Sequence, residues 1–167
     1  MSRVAILVAE MYNEFEFWYP YYRLIEAGHE PVVVAAKSGV YLSKAGLAAA
    51  ATLSAGEARA DDFAGLVIPG GYAPDHMRRD PAMVDLVRKV FAAGKPVAAI
   101  CHAGWMLASA EVVQGRRVTS FFAIKDDLIH AGAKWEDAEV VVDGNLITSR
   151  QPDDLPAFMK AVLAALD

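Results

Sequence analysis

The 167-residue chain reads as an α/β protein: a mostly parallel sheet covered by helices on both faces, in one domain over residues 1–167, with a small β-hairpin extension. Three observations predict this. The short apolar runs Val4-Ala5-Ile6-Leu7-Val8, Gly65-Leu66-Val67-Ile68 and Val97-Ala98-Ala99-Ile100 lack polar alternation, as strands buried on both faces do. Stretches with helical spacing separate them, and a strand–helix alternation of this length implies parallel pairing through crossovers. Near the end, Asp143-Gly144-Asn145 stands between two apolar runs and marks a hairpin turn.

The elements follow in order. Residues 3–9 form a first strand, and Glu14 to Ala27 a helix closed by Gly28, with Pro20 expected to kink it or to lie close to its start. Pro31 to Ala36 is a second strand. Val40 to Thr52 reads as two short segments, a hairpin or extension; the run Ala48 to Ala51 could pass for helix, but Gly46 and Thr52-Leu53-Ser54 flank it. The strand Gly65 to Ile68 leads through Pro69-Gly70-Gly71 to a short element, Pro74 to Met77. A helix follows from Pro81 to Ala93, with Pro81 suited to its first turn and Gly94 to its stop. Val97 to Ile100 is a strand that runs at once into helix-compatible residues, His102 to Ala110. Arg117 to Thr119 is a short strand, and Ile124 to Ala131 a helical stretch ended by Gly132. Val140–Val142 and Leu146–Thr148 form the hairpin, and Pro152 to Leu166 the closing amphipathic helix.

Composition excludes several functions. The net charge of −5 and pI near 5.3, without a Lys/Arg cluster, argue against a nucleic-acid partner. No apolar run is long enough to span a bilayer. A single cysteine cannot close an intrachain disulfide, and the N-terminus enters a strand without the layout of a signal peptide, so a cytoplasmic protein is expected. No His/Cys/Asp/Glu grouping has metal-ligand spacing and the glycines follow no dinucleotide fingerprint, so neither a metal nor a cofactor is expected.

That one cysteine, Cys101, sits where strand turns into helix, followed directly by His102. A lone cysteine is commonly a small buried hydrophobe, but a strand-to-helix turn presents its side chain above the sheet edge. The N–H groups of the following helix would then lower the thiol pKa, leaving a thiolate ready near neutral pH. The N–H of His102 would face the oxyanion formed when sulfur attacks a carbonyl.

The words Asn13-Glu14-Phe15-Glu16 with Tyr19-Pro20-Tyr21, Pro69-Gly70-Gly71 with Ala73-Pro74-Asp75, Gly94 to His102, Lys125-Asp126-Asp127, and Val140 to Asn145 stand in the order found in the ThiJ/PfpI superfamily. The chain resembles that family, and within it the PfpI-like intracellular cysteine peptidase/deglycase branch. The resemblance implies a flavodoxin-like three-layer sandwich. It also implies roles: Cys101 as nucleophile, Glu16 as general acid/base, and His102 oriented by Asp75 of a neighbouring subunit. Gly71 and His102 would form an oxyanion hole, and Gly70, Trp105, Phe121 and Trp18 would shape the pocket. A carboxylate beside a thiolate repels it, so Glu16 is expected to be protonated and to donate to sulfur. Ala103-Gly104-Trp105 replaces the usual Gly-Pro after Cys-His, and Phe121 stands where a tyrosine is common.

The resemblance thus implies a cysteine-nucleophile hydrolase in stress protection, acting on peptides or on methylglyoxal and its adducts with proteins. Its partners would be small carbonyl compounds, peptides or glycated proteins, and it would self-associate as a dimer or hexamer. The alternative is a redox sensor or stress-protective chaperone-like protein that uses an oxidisable Cys101 without turnover.

Overall fold

The computed structural model describes residues 1–167. In chain order the elements are β1 (Arg3–Leu7), α1 (Glu14–Glu26), β2 (Glu30–Ala35), β3 (Gly39–Leu42), β4 (Ala48–Ala51), β5 (Leu53–Ser54), β6 (Gly65–Ile68), α2 (Ala73–Met77), α3 (Pro81–Ala92), β7 (Val97–Ile100), α4 (Gly104–Ser109), β8 (Arg117–Val118), α5 (Lys125–His130), β9 (Lys134–Trp135), β10 (Val141–Asp143), β11 (Leu146–Ser149) and α6 (Leu155–Leu166). The main sheet has seven strands in the order β10-β11-β7-β6-β1-β2-β5. All neighbours are parallel except the hairpin β10–β11.

Every residue of β6, β7 and β11 is buried, as are Val4 to Leu7 of β1, which explains the unbroken apolar runs. Burial on both faces requires cover on both. α1 and α6 pack on each other and against β1, β2 and β11, while α3 and α4 pack on each other and against β6 and β7. This is the α/β/α sandwich expected.

Two local readings are resolved. α1 starts at Glu14 and runs on past Pro20; the ring deprives the Glu16 carbonyl of its usual i+4 donor, yet the helix does not begin anew there. The Ala48–Ala51 run is a strand, paired antiparallel with β3 from Leu42↔Ala48 to Gly39↔Ala51. A second small sheet, the parallel pair β8–β9, had no sequence signal beyond the Arg117–Thr119 run. No helix is long and apolar enough to cross a membrane.

The strand order fixes where a site can form. From β1 the chain builds outward through β2 to β5, then returns to the other side of β1 through β6, β7 and β11. At such a reversal the loops leaving β1 and β6 diverge to opposite sides of the sheet and open a crevice at its carboxyl edge. Residues 8–13, 69–72, 101–103 and 150–152 all leave strands at that edge.

Candidate active site

Ile100 ends β7 in extended conformation, and Cys101 then turns to φ +63°. A non-glycine residue at positive φ is strained and persists only where its surroundings over-determine it. Here the chain enters a 3-10 turn, Cys101–Ala103, before α4 begins at Gly104, and the Cys101 carbonyl accepts the N–H of Phe121 at 3.2 Å. The bend carries the sulfur to the crevice. The backbone N–H groups of Gly71 and His102 lie close enough to favour its charged form, and His102 Nδ1 lies 3.2 Å from Sγ.

Glu16 approaches from the other side. Its carboxyl is fully buried; Oε2 accepts the Gly70 N–H at 2.7 Å, and Oε1 has no partner. Asn13 sets this up as the N-cap of α1, accepting the N–H groups of Phe15 and Glu16 at 3.0 and 3.1 Å and so fixing the first turn that carries the acid. Burial pushes the Glu16 carboxyl up to about 7, against the lowering effects of the Gly70 N–H, Cys101 and Lys44.

The same burial corrects the expectation of a ready thiolate. Desolvation, followed by the charge on Glu16, pushes the Cys101 thiol up to about 12, outweighing the two backbone donors. The helix contributes little because α4 starts three residues on, behind a 3-10 turn, and is six residues long. Of the two acids, Glu16 gives up its proton first, so the resting pair is a thiol beside a carboxyl that titrates near neutral pH.

Two glycines make the close approach possible. A Cβ on Gly70 would lie 2.5 Å from Glu16 Oε2 and 2.8 Å from the Cys101 Cβ. Gly71, at φ +78°, would place one 2.5 Å from the Asn13 nitrogen and 2.7 Å from the Met11 oxygen. The loop after β1 clamps this turn: the Asn13 N–H donates to Gly70 O at 3.2 Å and the Tyr72 N–H to Met11 O at 2.9 Å.

Cys101 opens into a cavity of about 390 Å³. The His102 ring stacks on Phe121 (4.9 Å, 29°) and meets Trp105 edge-on (5.3 Å); burial, then the charge of Lys44, lowers its pKa, so the imidazole is neutral and its Nδ1 can accept the thiol proton. The Trp105 indole is tied to Asp127 at 2.8 Å.

The fold therefore brings together Cys101, His102, Glu16, Gly70, Gly71, Trp105 and Phe121. Gly70 lies behind the sulfur, with its N–H spent on Glu16, and does not line the cavity. Trp18 is outside it, contrary to expectation. Two positions along a helix is a rotation of about 200°, so a helix that turns Glu16 inward turns Trp18 away; its indole donates to the Tyr12 hydroxyl at 3.2 Å. Asp75 does not line the cavity of its own chain either; it lies on α2, paired with Arg79. Sequence reasoning missed Asn13, Lys44, Tyr72, Gln151 and Pro152, which complete the lining. The Asn-x-x-Glu spacing before an apolar run is an N-cap signal that would have found Asn13.

A thiol flanked by a carboxyl, an imidazole and two backbone donors can lose its proton to a neighbour, attack a carbonyl carbon and find donors for the oxygen that becomes negative. The comparisons with known proteins agree with this chemistry. Residues 2–165 match the DJ-1/PfpI family. The chain is 48% identical over 164 residues to a deglycase of Pyrococcus abyssi (98% of this chain, 99% of that one). It is 43% identical over 164 residues to the deglycase PfpI of Pyrococcus furiosus, with the same coverage. Among solved structures it superposes with a TM-score of 0.98, at 42% identity, on a two-domain protein of Anabaena variabilis containing DJ-1/ThiJ/PfpI-like and ferritin-like domains. That match covers 99% of this chain and 48% of the other. With a family match over nearly its whole length and relatives this similar, the chain belongs to the DJ-1/PfpI family.

Proposed function

We propose that this protein is a cysteine-dependent hydrolase of the PfpI-like type, acting as a deglycase on small carbonyl adducts of proteins. The observation that carries the reading is the single point at which the Cys101 sulfur meets the N–H groups of Gly71 and His102 with the Glu16 carboxyl beside it. In this reading Glu16, as carboxylate, or the neutral His102 takes the thiol proton as sulfur bonds to the carbonyl carbon. The C=O electron pair moves onto oxygen, which the Gly71 and His102 donors hold. In a methylglyoxal adduct a proton shift between the two oxygen-bearing carbons first moves the carbonyl to the carbon that bears the departing nitrogen or sulfur. After attack on that carbon the C=O re-forms as its bond to the departing group breaks with the electron pair, the protonated acid supplies that group's proton, and water adds to the resulting thioester and breaks the S–C bond.

Cavity size favours deglycation over proteolysis. About 390 Å³ accommodates a dicarbonyl-derived adduct on one side chain, not a length of folded polypeptide, and the Trp105 and Phe121 rings close its wall. Both relatives described above carry the name deglycase. Peptidase activity is the second reading; it would need Asp75 of a neighbouring subunit to orient His102 in a dimer or hexamer. We place the activity in stress protection in the cytoplasm.

The test is release of the adduct from methylglyoxal-treated N-acetylarginine and N-acetylcysteine by purified wild type and Cys101→Ser. Turnover by wild type and none by the variant, with far-UV circular dichroism unchanged, is expected. Equal turnover by both would remove Cys101 from the mechanism.

A further inference from the structure

Lys44 is the one lysine or arginine among the residues lining the Cys101 cavity, and the structure gives it no ion pair. Its position is built. The Lys44 N–H donates to Tyr12 O at 3.0 Å, and the Ser43 N–H to Leu47 O at 2.9 Å. The Leu47 N–H returns a bond to the buried Ser43 Oγ at 2.9 Å, and Glu14 Oε1 accepts the Ala45 N–H at 2.6 Å. The tight turn is therefore stitched to the same loop, residues 11–14, that caps α1 and aims Glu16. Glu14, the acid on that loop whose carboxylate feels the Lys44 charge, spends Oε1 on backbone, forms no ion pair with Lys44 and does not line the cavity. Inside it the only carboxyl is Glu16, recessed behind the sulfur.

A lysine that lines a cavity with no carboxylate in ion-pair contact is complementary to a ligand that brings one. We propose that Lys44 is a specificity-determining residue that selects carbonyl substrates bearing a carboxylate close to the carbon that Cys101 attacks. This deepens the deglycase reading, on which it rests for the identity of the substrate. The influence of Lys44 on both Glu16 and His102 places its charge near enough to be felt where the sulfur reacts.

The experiment compares two alkylating agents that differ in charge alone. Iodoacetate and iodoacetamide each react by forming an S–C bond as C–I breaks, with iodide leaving with the electron pair and the thiol proton passing to a neighbouring base or to water. Iodoacetate carries its carboxylate on the attacked carbon. The quantity read is the ratio of the Cys101 alkylation rates, iodoacetate over iodoacetamide, by intact mass. Any effect of Lys44 on thiol reactivity moves both rates together and cancels in the ratio.

In Lys44→Gln the ratio should fall by about five- to thirty-fold at low salt, the worth of one close charge in a partly screened site. Lys44→Arg should retain it, and in wild type it should decline as added salt screens the exposed ammonium. Lys44 is exposed, so both variants should fold, and circular dichroism checks this. An unchanged ratio in Lys44→Gln, with the two rates moving in parallel, would overturn the assignment and leave Lys44 as a modulator of the thiol only. The ratio is read without turnover, so a charge-dependent ratio in a protein that removes no adduct would uphold Lys44 as the anion-recognising residue while refuting the deglycase reading.

Discussion

Cys101 and Glu16 share a problem that neither has alone. Each is buried, each is an acid, and the fold holds them on either side of Gly70 with room for only hydrogen atoms between. The carboxyl ordinarily near 4.5 is pushed up to about 7, and the sign of its effect on stability follows. Below about 4.5 the carboxyl is protonated in both folded and unfolded chains and contributes no difference. As pH rises from there through 7, the unfolded chain releases a proton that the folded chain retains, so stability is lost over that window, by about 3 kcal/mol in total. Glu16→Gln removes this slope. Urea unfolding at pH 5 and pH 8 should show the wild type losing more stability over the interval than the variant; equal losses would mean that Glu16 is not desolvated. The same substitution removes a negative charge from beside the sulfur. It should therefore lower the apparent thiol pKa in iodoacetamide titrations while abolishing turnover, since an amide cannot accept the proton.

At the scale of elements, α1 and α3 carry matching N-caps with different consequences. Asn13 accepts two N–H groups at the start of α1, and Asp80 accepts those of Ala82 and Met83 at the start of α3. Replacing either by Ala should cost about 1 kcal/mol, measurable by thermal unfolding. Activity should fall in Asn13→Ala alone, because only that cap orients a residue of the site; equal loss in both would refer the effect to general destabilisation. Gly71→Ala should be worse than either, since its Cβ would collide with backbone and not with a flexible side chain, and the purified variant should show both a lower melting temperature and no turnover. Elements were legible where one physical demand dominated. Val97–Ile100 reads as a strand because burial on both faces leaves no polar position, and Pro81 with Gly94 brackets α3. The Ala48–Ala51 run was ambiguous because alanine favours helix, and only its ladder with β3 makes it a strand. Pro20 does not start the helix for a related reason: proline removes one bond, but the packing of Phe17, Pro20 and Leu24 into the core carries the helix through.

The whole molecule explains what the sequence could not show about the site. Cys101, His102 and Gly71 stand next to turns that the chain itself announces, and Glu16 lies within an apolar run that marks it as buried. Lys44 and Gln151, by contrast, reach the cavity from loops after β3 and β11; the sheet order brings the second to that edge, and the pairing of Tyr12 with Ser43 and Lys44 brings the first. Trp18 lies outside the cavity because the helical phase that buries Glu16 turns a residue two positions on to the far side. Asp75, paired with Arg79 and outside the cavity of its own chain, enters only the proposed peptidase reading. If a second subunit completes the peptidase arrangement, specific peptidase activity should fall on dilution through the dissociation constant. Asp75→Asn should lower that activity and spare deglycation, with light scattering confirming an unchanged oligomer. The central claim is that a resting thiol is activated by proton transfer to Glu16, and the pH dependence of kcat/KM for deglycation tests it most directly. In wild type the rate should rise tenfold per pH unit below the Glu16 pKa and level off through about 7. A wild-type profile without that step, or turnover by Glu16→Gln with a step at the same midpoint, would contradict it.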